Sequence, residues 1–211
     1  MEHTEISELF EVFEGAVDYL SDDENFRCFL RERTDACARK CEQNHESMYV
    51  RFGATKLVII LDDYDWVFKI PYRTISEKDY CQMELENYLD AQETEFGNLF
   101  SEMCYIGQYG SAPCYAMRKV EADFDLKISA LESRGISYSF YDEEEEYEYT
   151  LGEEEVFEEL IASLLGPEKI DDFWIFCNKH RINDLHTENF GFVGDQIKLI
   201  DYSGYHGGVA R

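Results

Sequence analysis

The chain has 211 residues and a formal net charge of −27, with 45% hydrophobic and 15% aromatic residues. This composition is globular, because a disordered acidic chain would carry fewer aromatic and aliphatic side chains. So acidic a surface repels DNA, RNA and anionic membranes at long range and attracts cations and basic protein surfaces. We therefore expect no direct binding to nucleic acid and no membrane association.

The same charge leaves two interpretations open. It serves only solubility, since runs of like charge usually lie on solvated faces, or it imitates nucleic acid toward a DNA-binding protein. The sequence alone does not separate these two roles.

Cysteine usage and the first residues indicate the compartment. The seven cysteines are scattered and odd in number, which is untypical of a disulfide framework and favours a reducing environment. The start, MEHTEISELF, lacks the basic and apolar regions of a signal peptide, and no apolar run is long enough to span a bilayer. The sequence thus predicts a cytoplasmic protein.

Two amphipathic helices are predicted first. Apolar residues recur at helical spacing from Ile6 to Leu20, and a second helix is expected from Asp22 or Asp23 to about Gln43. They predict an N-terminal helical extension over residues 1–46, with a packing role.

Thiols and an imidazole recur in the second of these predicted helices. Cys37, Cys41 and His45 are spaced four apart and would share one face if the helix reached that far. Zinc usually takes four ligands, and none is evident beyond Cys28. We therefore expect ordinary thiols at these positions.

The periodicity then changes to that of strands. MYVRF, KLVIIL and WVFKI are separated by the turn stretches GAT and DDYD, which predicts an antiparallel meander. A helix should follow from about Ser76 to Phe96, with Ser76 and Asp79 capping its first turn. CYIGQY and CYAMRKV predict two more strands.

The second half is predicted to be mainly helical. DLKISALESR, EEEVFEELIASLLG and DDFWIFCNKH each have helical patterns. The acidic stretch from Asp142 to Glu159 contains a run of glutamates interspersed with tyrosines. Blocks of like charge are usually exposed, so we interpret it as a surface segment with a partner-binding role.

A lysine interrupts the third apolar strand, WVFKIP. A buried lysine without a partner is costly, so Lys69 must reach solvent or meet an anion. The helix predicted to follow offers Glu84 and Glu86, and the sequence does not decide between them.

The most informative stretch is NDLHTENFGFVGDQIKLIDYSG, which carries Asp184, Asn189 and Asp201. Local hydrogen bonding in turns would explain each of these residues singly. Together with residues upstream they form a larger pattern. Its parts, in order, are a turn glycine, a strand lysine, a helix glutamate, D-x-x-x-x-N and a strand followed by aspartate. It resembles the protein-kinase-like fold over residues 48–204, with DLHTEN similar to the catalytic loop and DYSG similar to the DFG site.

The resemblance implies an α+β, two-lobed fold: a helical extension over residues 1–46, an N-lobe over 47–120, and a reduced C-lobe over 121–211. It also implies roles for particular residues. Lys69 would hold the α- and β-phosphates of ATP, with Glu84 orienting it. Asp184 would accept or orient the proton of the attacking hydroxyl group.

The remaining implied roles concern metal and nucleotide. Asn189 and Asp201 would hold Mg²⁺ through oxygen atoms. Gly53 would belong to the phosphate-binding turn. The stretch MRKVEA, with Met117 and Lys119, would contact adenine through its backbone.

Several positions depart from the family pattern. The glycine-rich loop is reduced to RFGATK, Ile182 and Asn183 replace the His-Arg pair, and Tyr202 and Ser203 replace the phenylalanine and glycine of DFG. The sequence ends at Arg211, ten residues after Asp201, which predicts a truncated C-lobe. In this respect the chain resembles the reduced kinase-like proteins of bacteriophages and prophages.

Two functions follow from the resemblance and the charge. One is an ATP- and Mg²⁺-dependent phosphotransferase acting on a protein, such as a host protein in a phage context, or on a small molecule. The alternative is an inactive pseudokinase whose acidic surface inhibits a basic or DNA-binding host protein by nucleic-acid mimicry.

Overall fold

The computed structural model describes residues 3–75, 77–136 and 153–203. Contacts divide the chain into two compact units: unit 1 comprises Met1–Glu93 with Ser101–Lys119, and unit 2 comprises Thr94–Phe100 with Val120–Arg211. The protein is α+β, as the sequence predicts. In the described part of the chain, every helix is too short or too polar to cross a lipid bilayer.

Unit 1 combines helices with an antiparallel sheet. Its described helices are α1 (His3–Leu20), α2 (Glu24–Glu32), α3 (Asp35–Arg39) and α4 (Tyr80–Gln92). Its described strands are β1 (Gln43–Asn44), β2 (Met48–Phe52), β3 (Lys56–Leu61), β4 (Trp66–Pro71), β5 (Thr74–Ile75), β6 (Lys78–Asp79), β7 (Met103–Tyr109) and β8 (Ala112–Arg118).

Six of these strands form one sheet in the order β1-β2-β3-β4-β8-β7, and every pairing is antiparallel. The predicted meander and the two predicted later strands are confirmed. β5 and β6 form a small separate hairpin immediately before α4.

The central strand β4 is covered on both faces because it alternates between two layers. Phe68 points toward α1, where its ring meets that of Phe13 edge-on at 5.6 Å. Its neighbour Lys69 points to the opposite face, toward α4. Phe13 also packs against Tyr109 of β7. The N-terminal helix therefore forms part of the core of unit 1.

The predicted second helix is wrong as a single element. Arg33 adopts a left-handed conformation, with φ of 45°, and ends α2. Thr34 then caps α3 by accepting a hydrogen bond from the Cys37 amide. The chain therefore forms two short helices, and His45 lies after β1, outside any helix.

The helix that carries the predicted glutamates begins later than the sequence suggests. Asp79 is its N-cap and accepts a hydrogen bond from the Gln82 amide at 2.7 Å, so the predicted cap at Asp79 is confirmed. The other oxygen of the same carboxylate accepts a hydrogen bond from the Tyr115 hydroxyl at 3.0 Å. Ser76 lies outside the described residues. This double use of Asp79 fixes the start of α4 to the sheet.

Unit 2 is mainly helical in its described part. Its elements are α5 (Phe124–Glu132), α6 (Glu153–Leu165), α7 (Ile170–Lys179), β9 (Phe190–Val193) and β10 (Gln196–Leu199), with short 3-10 turns at Gly97–Leu99, Pro167–Lys169 and Thr187–Asn189. The three predicted helices are confirmed. Of the acidic stretch Asp142–Glu159, residues 142–152 lie outside the described residues, and the remainder belongs to α6.

Aromatic rings form much of the core of unit 2. Phe100 meets Phe176 of α7 edge-on, with ring centroids 5.8 Å apart. It also meets Tyr202 at 5.0 Å. Phe157 of α6 packs in the same way on Phe190 of β9. Edge-to-face pairs add to the free energy gained from burial. They fix the backbone on both sides of the β9-β10 hairpin.

The placement of α1 in the core of unit 1 is testable by truncating Phe13, which is fully buried. We expect Phe13→Ala to lower the free energy of unfolding by about 3–5 kcal/mol, the usual range for a lost core phenylalanine. Urea unfolding followed by circular dichroism measures this difference. Glu11→Ala, at an exposed position of the same helix, should change stability by less than about 0.5 kcal/mol. Equal losses in the two variants would contradict a core role for α1.

Candidate functional site

The predicted strand lysine lies in a buried ion pair in unit 1. Lys69 on β4 is opposite Val58 of β3 and Tyr115 of β8 in the sheet register. Its Nζ donates to Glu84 Oε2 at 2.9 Å, and the two side chains are 6% and 0% exposed. A fully desolvated pair of this kind depends strongly on its geometry, since each charge has lost most of its water.

The structure distinguishes the two candidate glutamates. Glu84 points into the protein from α4, whereas Glu86 pairs with Lys78 at 2.6 Å on the surface, where both side chains are about half exposed. Residues two apart on a helix point in different directions, so one element cannot present both carboxylates to Lys69. The choice of Glu84 in the sequence-based roles agrees with this contact.

A second lysine, which the sequence interpretation missed, shares the same carboxylate. Lys56 Nζ donates to Glu84 Oε1 at 2.6 Å, and its side chain is 3% exposed. Lys69 pairs with Val58, two residues along β3 from Lys56, so both lysines lie on one face of the sheet as diagonal neighbours. The signal was present in KLVIIL. Its first residue, Lys56, follows a turn and lies two positions before Val58, so both side chains point to the same face of the strand.

The neighbouring thiol is neutral. Cys81 lies in the first turn of α4 and is fully buried, and this burial raises the pKa of its thiol well above the usual value. A thiolate there would be desolvated beside the Glu84 carboxylate. The charge of this region therefore belongs to Lys56, Lys69 and Glu84, which we call the buried charge cluster.

Gly53 lies in the turn between β2 and β3 and is held on both sides. Its amide donates to the Lys56 carbonyl at 3.0 Å, and its carbonyl accepts a hydrogen bond from the Tyr72 hydroxyl. A Cβ at this position would lie 3.3 Å from the Lys56 carbonyl oxygen, so a larger residue would require a shift of a few tenths of an ångström. The turn is closed by these contacts, and the Gly53 amide is used within it.

Met117 and Lys119, predicted to contact adenine, lie at the end of β8. Met117 is buried and paired with Val67 of β4. The Lys119 amide donates to the Asp65 carbonyl at 2.7 Å, and its Nζ donates to the carbonyls of residues 61 and 62, both at 2.9 Å. The amide and ammonium donors of Lys119 thus hold the turn between β3 and β4.

In unit 2, the loop from Asp184 to Asn189 is organised around one amide side chain. Asn189 Nδ2 donates to the Asp184 backbone carbonyl at 2.6 Å and lies 3.0 Å from Nε2 of His186. Both contacts use Nδ2, so Oδ1 is the atom available for a cation. The Asp184 side chain is 44% exposed, with Oδ1 lying 3.8 Å from His186 Nε2. His186 contacts the loop through Asn189.

The β9-β10 hairpin brings Asn189 and Asp201 to the same end. Asn189 precedes β9 and Asp201 follows β10, and the Ile200 amide donates to the Asn189 carbonyl at 2.8 Å. Asp201 adopts a left-handed backbone conformation with φ of 56°. Non-glycine residues rarely adopt this conformation, and functional sites are enriched in such strain. The next residue, Tyr202, is fully buried.

Lys127 is a second residue that the sequence interpretation missed. Its Nζ lies 5.0 Å from the centre of the Phe190 ring, next to Asn189 in sequence. Burial lowers the pKa of Lys127, and the negative charge of Glu188 opposes that change. Lys127 lies four residues before Leu131 in the predicted helix and therefore shares its buried face. This spacing is the signal that could have identified Lys127.

Comparison with known proteins finds no matching family model, no matching curated protein and no matching solved structure. Function must therefore be argued from the two groups of residues described above. The first is a buried charge cluster on a sheet, and the second is a set of oxygen donors at the base of a hairpin.

The buried charge cluster makes a stability prediction that separates Glu84 from Glu86. We expect Glu84→Gln to lower the free energy of unfolding by about 3–5 kcal/mol, because two buried ammonium groups lose their shared carboxylate. Glu86→Gln, the matched change on the same helix, should cost about 0–1 kcal/mol, since its pair with Lys78 is exposed. Denaturant unfolding of both variants measures the difference. A Glu84→Gln protein as stable as Glu86→Gln would show that the cluster does not hold α4.

Proposed function

We propose that this protein is an ATP- and Mg²⁺-dependent phosphotransferase of the protein-kinase-like type. The observation that carries the proposal is the buried contact between Lys69 and Glu84, 2.9 Å apart, on a sheet strand and the following helix. A lysine fixed in this way is a point charge that can hold a phosphate group. The stability of the fold alone does not require a lysine at this position, because apolar residues could fill the same space.

The oxygen donors of unit 2 support the same proposal. Mg²⁺ binds oxygen ligands and is usually held by one or two carboxylates together with substrate phosphates. Asn189 and Asp201 offer an amide oxygen and a carboxylate at one end of the β9-β10 hairpin, and the residues therefore fit this metal. When bound, Mg²⁺ neutralises negative charge on the phosphate groups.

Asp184, Lys69 and Glu84 each have a role in the proposed reaction. The Asp184 carboxylate accepts the proton of the acceptor hydroxyl while that oxygen bonds to the γ-phosphorus of ATP. The bond between the γ-phosphorus and the β,γ-bridging oxygen breaks, and ADP leaves. Lys69 holds the non-transferred phosphates, and Glu84 orients Lys69. The half-exposed Asp184 side chain is open to an acceptor from solvent.

The second candidate function is an inactive kinase-like scaffold that binds a basic protein. Its support is the net charge of −27 and the exposure of Glu158 and Glu159 on α6. Glu143 to Glu146, which would carry much of such an interaction, lie outside the described residues. The two functions differ in their requirements, since catalysis depends on Lys69 and Asp184, whereas mimicry depends on exposed carboxylates. Mimicry would weaken steeply as salt increases, because exposed charges are screened.

Nucleotide binding should appear as thermal stabilisation. With Mg²⁺-ATP at about 100 times its dissociation constant, we expect roughly 2.7 kcal/mol of stabilisation. For a chain of this size, that corresponds to an increase of about 5–10 °C in melting temperature. Asp201→Asn should abolish the part of the shift that requires Mg²⁺. Asp195→Asn, in the exposed turn of the same hairpin, should keep it. The absence of any shift in the wild-type protein would favour the binding scaffold.

Catalysis should depend on Asp184, whereas nucleotide binding should not. We expect Asp184→Ala to lower the rate of ADP formation from Mg²⁺-ATP by about 10²- to 10⁴-fold, the usual contribution of a general base. The thermal shift with Mg²⁺-ATP should remain. Glu188→Gln, at an exposed position of the same loop, serves as the control. An Asp184→Ala variant with the full wild-type rate would refute the assigned mechanism.

A further inference from the structure

The helices α2 and α3 of unit 1 bring three potential metal ligands together. Cys28 and Glu32 lie on α2, and Cys37 lies on α3. Their ligand atoms are all within 4.8 Å of one another. The two sulfur atoms are 3.0 Å apart, and Cys37 Sγ lies 3.6 Å from Glu32 Oε2. We call these three side chains the thiol-carboxylate cluster.

The local backbone explains why these residues meet. Cys28 and Glu32 are four residues apart and therefore share one face of α2. The left-handed conformation of Arg33 ends α2, and the Thr34 cap starts α3, so the chain reverses within a few residues. This reversal brings Cys37 to the face of α2 that carries Cys28 and Glu32. A single continuous helix would not have produced this arrangement.

The distances suit a small thiophilic cation. Zinc binds sulfur at about 2.3 Å and carboxylate oxygen at about 2.0–2.2 Å, so tetrahedral ligands lie about 3.6 Å apart for sulfur and oxygen and about 3.8 Å apart for two sulfurs. The separation between Cys37 Sγ and Glu32 Oε2 already matches at 3.6 Å. The sulfur pair must open by about 0.8 Å. Cys28 is half-buried, and Glu32 is exposed, so the cluster has room to adjust at the surface.

The charges also balance around a divalent cation. Arg31 donates to Glu32 Oε1 at 2.9 Å, which leaves Oε2 directed toward Cys37. Two thiolates and one carboxylate carry three negative charges, and a divalent cation with Arg31 carries three positive charges. Groups that hold a ligand from outside the coordination sphere tune both its orientation and its basicity. Arg31 is placed for this role.

We propose that Cys28, Glu32 and Cys37 form a binding site for a thiophilic divalent cation of the Zn²⁺ type, with Arg31 orienting Glu32. Three protein ligands leave the fourth position open to water or to an external ligand. As each metal–sulfur bond forms, the thiol releases its proton to bulk water. The site is independent of the proposed phosphotransferase residues.

Two residues that the sequence placed beside Cys37 do not belong to this ligand set. Cys41 is buried, and its thiol donates to the Cys37 backbone carbonyl at 3.2 Å. His45 follows β1, where its ring packs against Tyr19. The sequence interpretation counted Cys28 but missed Glu32, because it did not expect the break between α2 and α3 that brings Cys37 to Glu32.

Cobalt(II) is a direct probe, because its thiolate complexes absorb strongly in the near ultraviolet. The full-length protein, reduced and treated with a chelator, is titrated with Co²⁺ and then with Zn²⁺. We expect a thiolate-to-cobalt charge-transfer band that saturates at about one equivalent and disappears when Zn²⁺ displaces Co²⁺. Cys28→Ser and Cys37→Ser should each abolish the band. Glu32→Gln should keep the band, because both thiolates remain, but should weaken binding, because the carboxylate ligand is lost.

Cys41→Ser is the matched control, since it removes the nearest sulfur outside the proposed ligand set and should keep the band. Circular dichroism of each variant confirms that the protein is folded. Absence of the band in the wild-type protein, or its persistence in folded Cys28→Ser, would overturn the site. Loss of two hydrogens under a mild oxidant, without any cobalt band, would overturn it in favour of a disulfide pair. The thermal shift with Mg²⁺-ATP should be the same in wild type and Cys28→Ser, which separates this site from the phosphotransferase.

Discussion

The placement of α4 on the sheet of unit 1 depends on the free energy required to bury three charged side chains. Lys56, Lys69 and Glu84 are at most 5% exposed as whole residues, and each lost several kcal/mol of hydration when the chain folded. The attraction of Glu84 to both lysines offsets that cost when the geometry is good. The sheet register must place the two lysines diagonally on one face, and α4 must direct Glu84 between them. Turning α4 by one residue, about 100°, would direct the Glu84 carboxylate away from both lysines. The cluster therefore fixes the helix on the sheet more strictly than apolar packing would.

The sheet of unit 1 separates two kinds of packing. On one face, α1 contributes Phe13 to an aromatic layer with Phe68 and Tyr109, which tolerates small shifts because dispersion contacts are numerous and weak. On the other face, the charge cluster tolerates few shifts. Neighbouring residues of β4, Phe68 and Lys69, thus serve opposite purposes through the simple alternation of a strand. One strand joins a hydrophobic core to a polar site.

In unit 2, the candidate ligands lie at one end of the paired strands β9 and β10, and one of them has a strained backbone. Asp201 has a left-handed backbone, which costs of order 1–3 kcal/mol for a non-glycine residue. On either side of Asp201, Tyr202 is buried and the Ile200 amide donates to the Asn189 carbonyl. The oxygen donors of Asn189 and Asp201 suit a hard cation, whereas the sulfur donors of Cys28 and Cys37 suit a soft one. The two proposed ligand sets therefore differ in the cations they would select.

Most of the elements and several chemical candidates could be predicted from local sequence patterns. Strand alternation and helical periodicity gave the meander, the later strands and the helices of the second half, because these patterns depend on local geometry. The place of Lys69 in an apolar strand required it either to reach solvent or to meet an anion. Packing in three dimensions accounts for the rest. It chose Glu84 over Glu86, added Lys56 through the register of β3 and β4, and divided the predicted second helix at Arg33, which brought Cys28 and Glu32 to Cys37. Each of these outcomes depends on which elements meet in space, and residues distant in sequence determine that by packing and by pairing of charge.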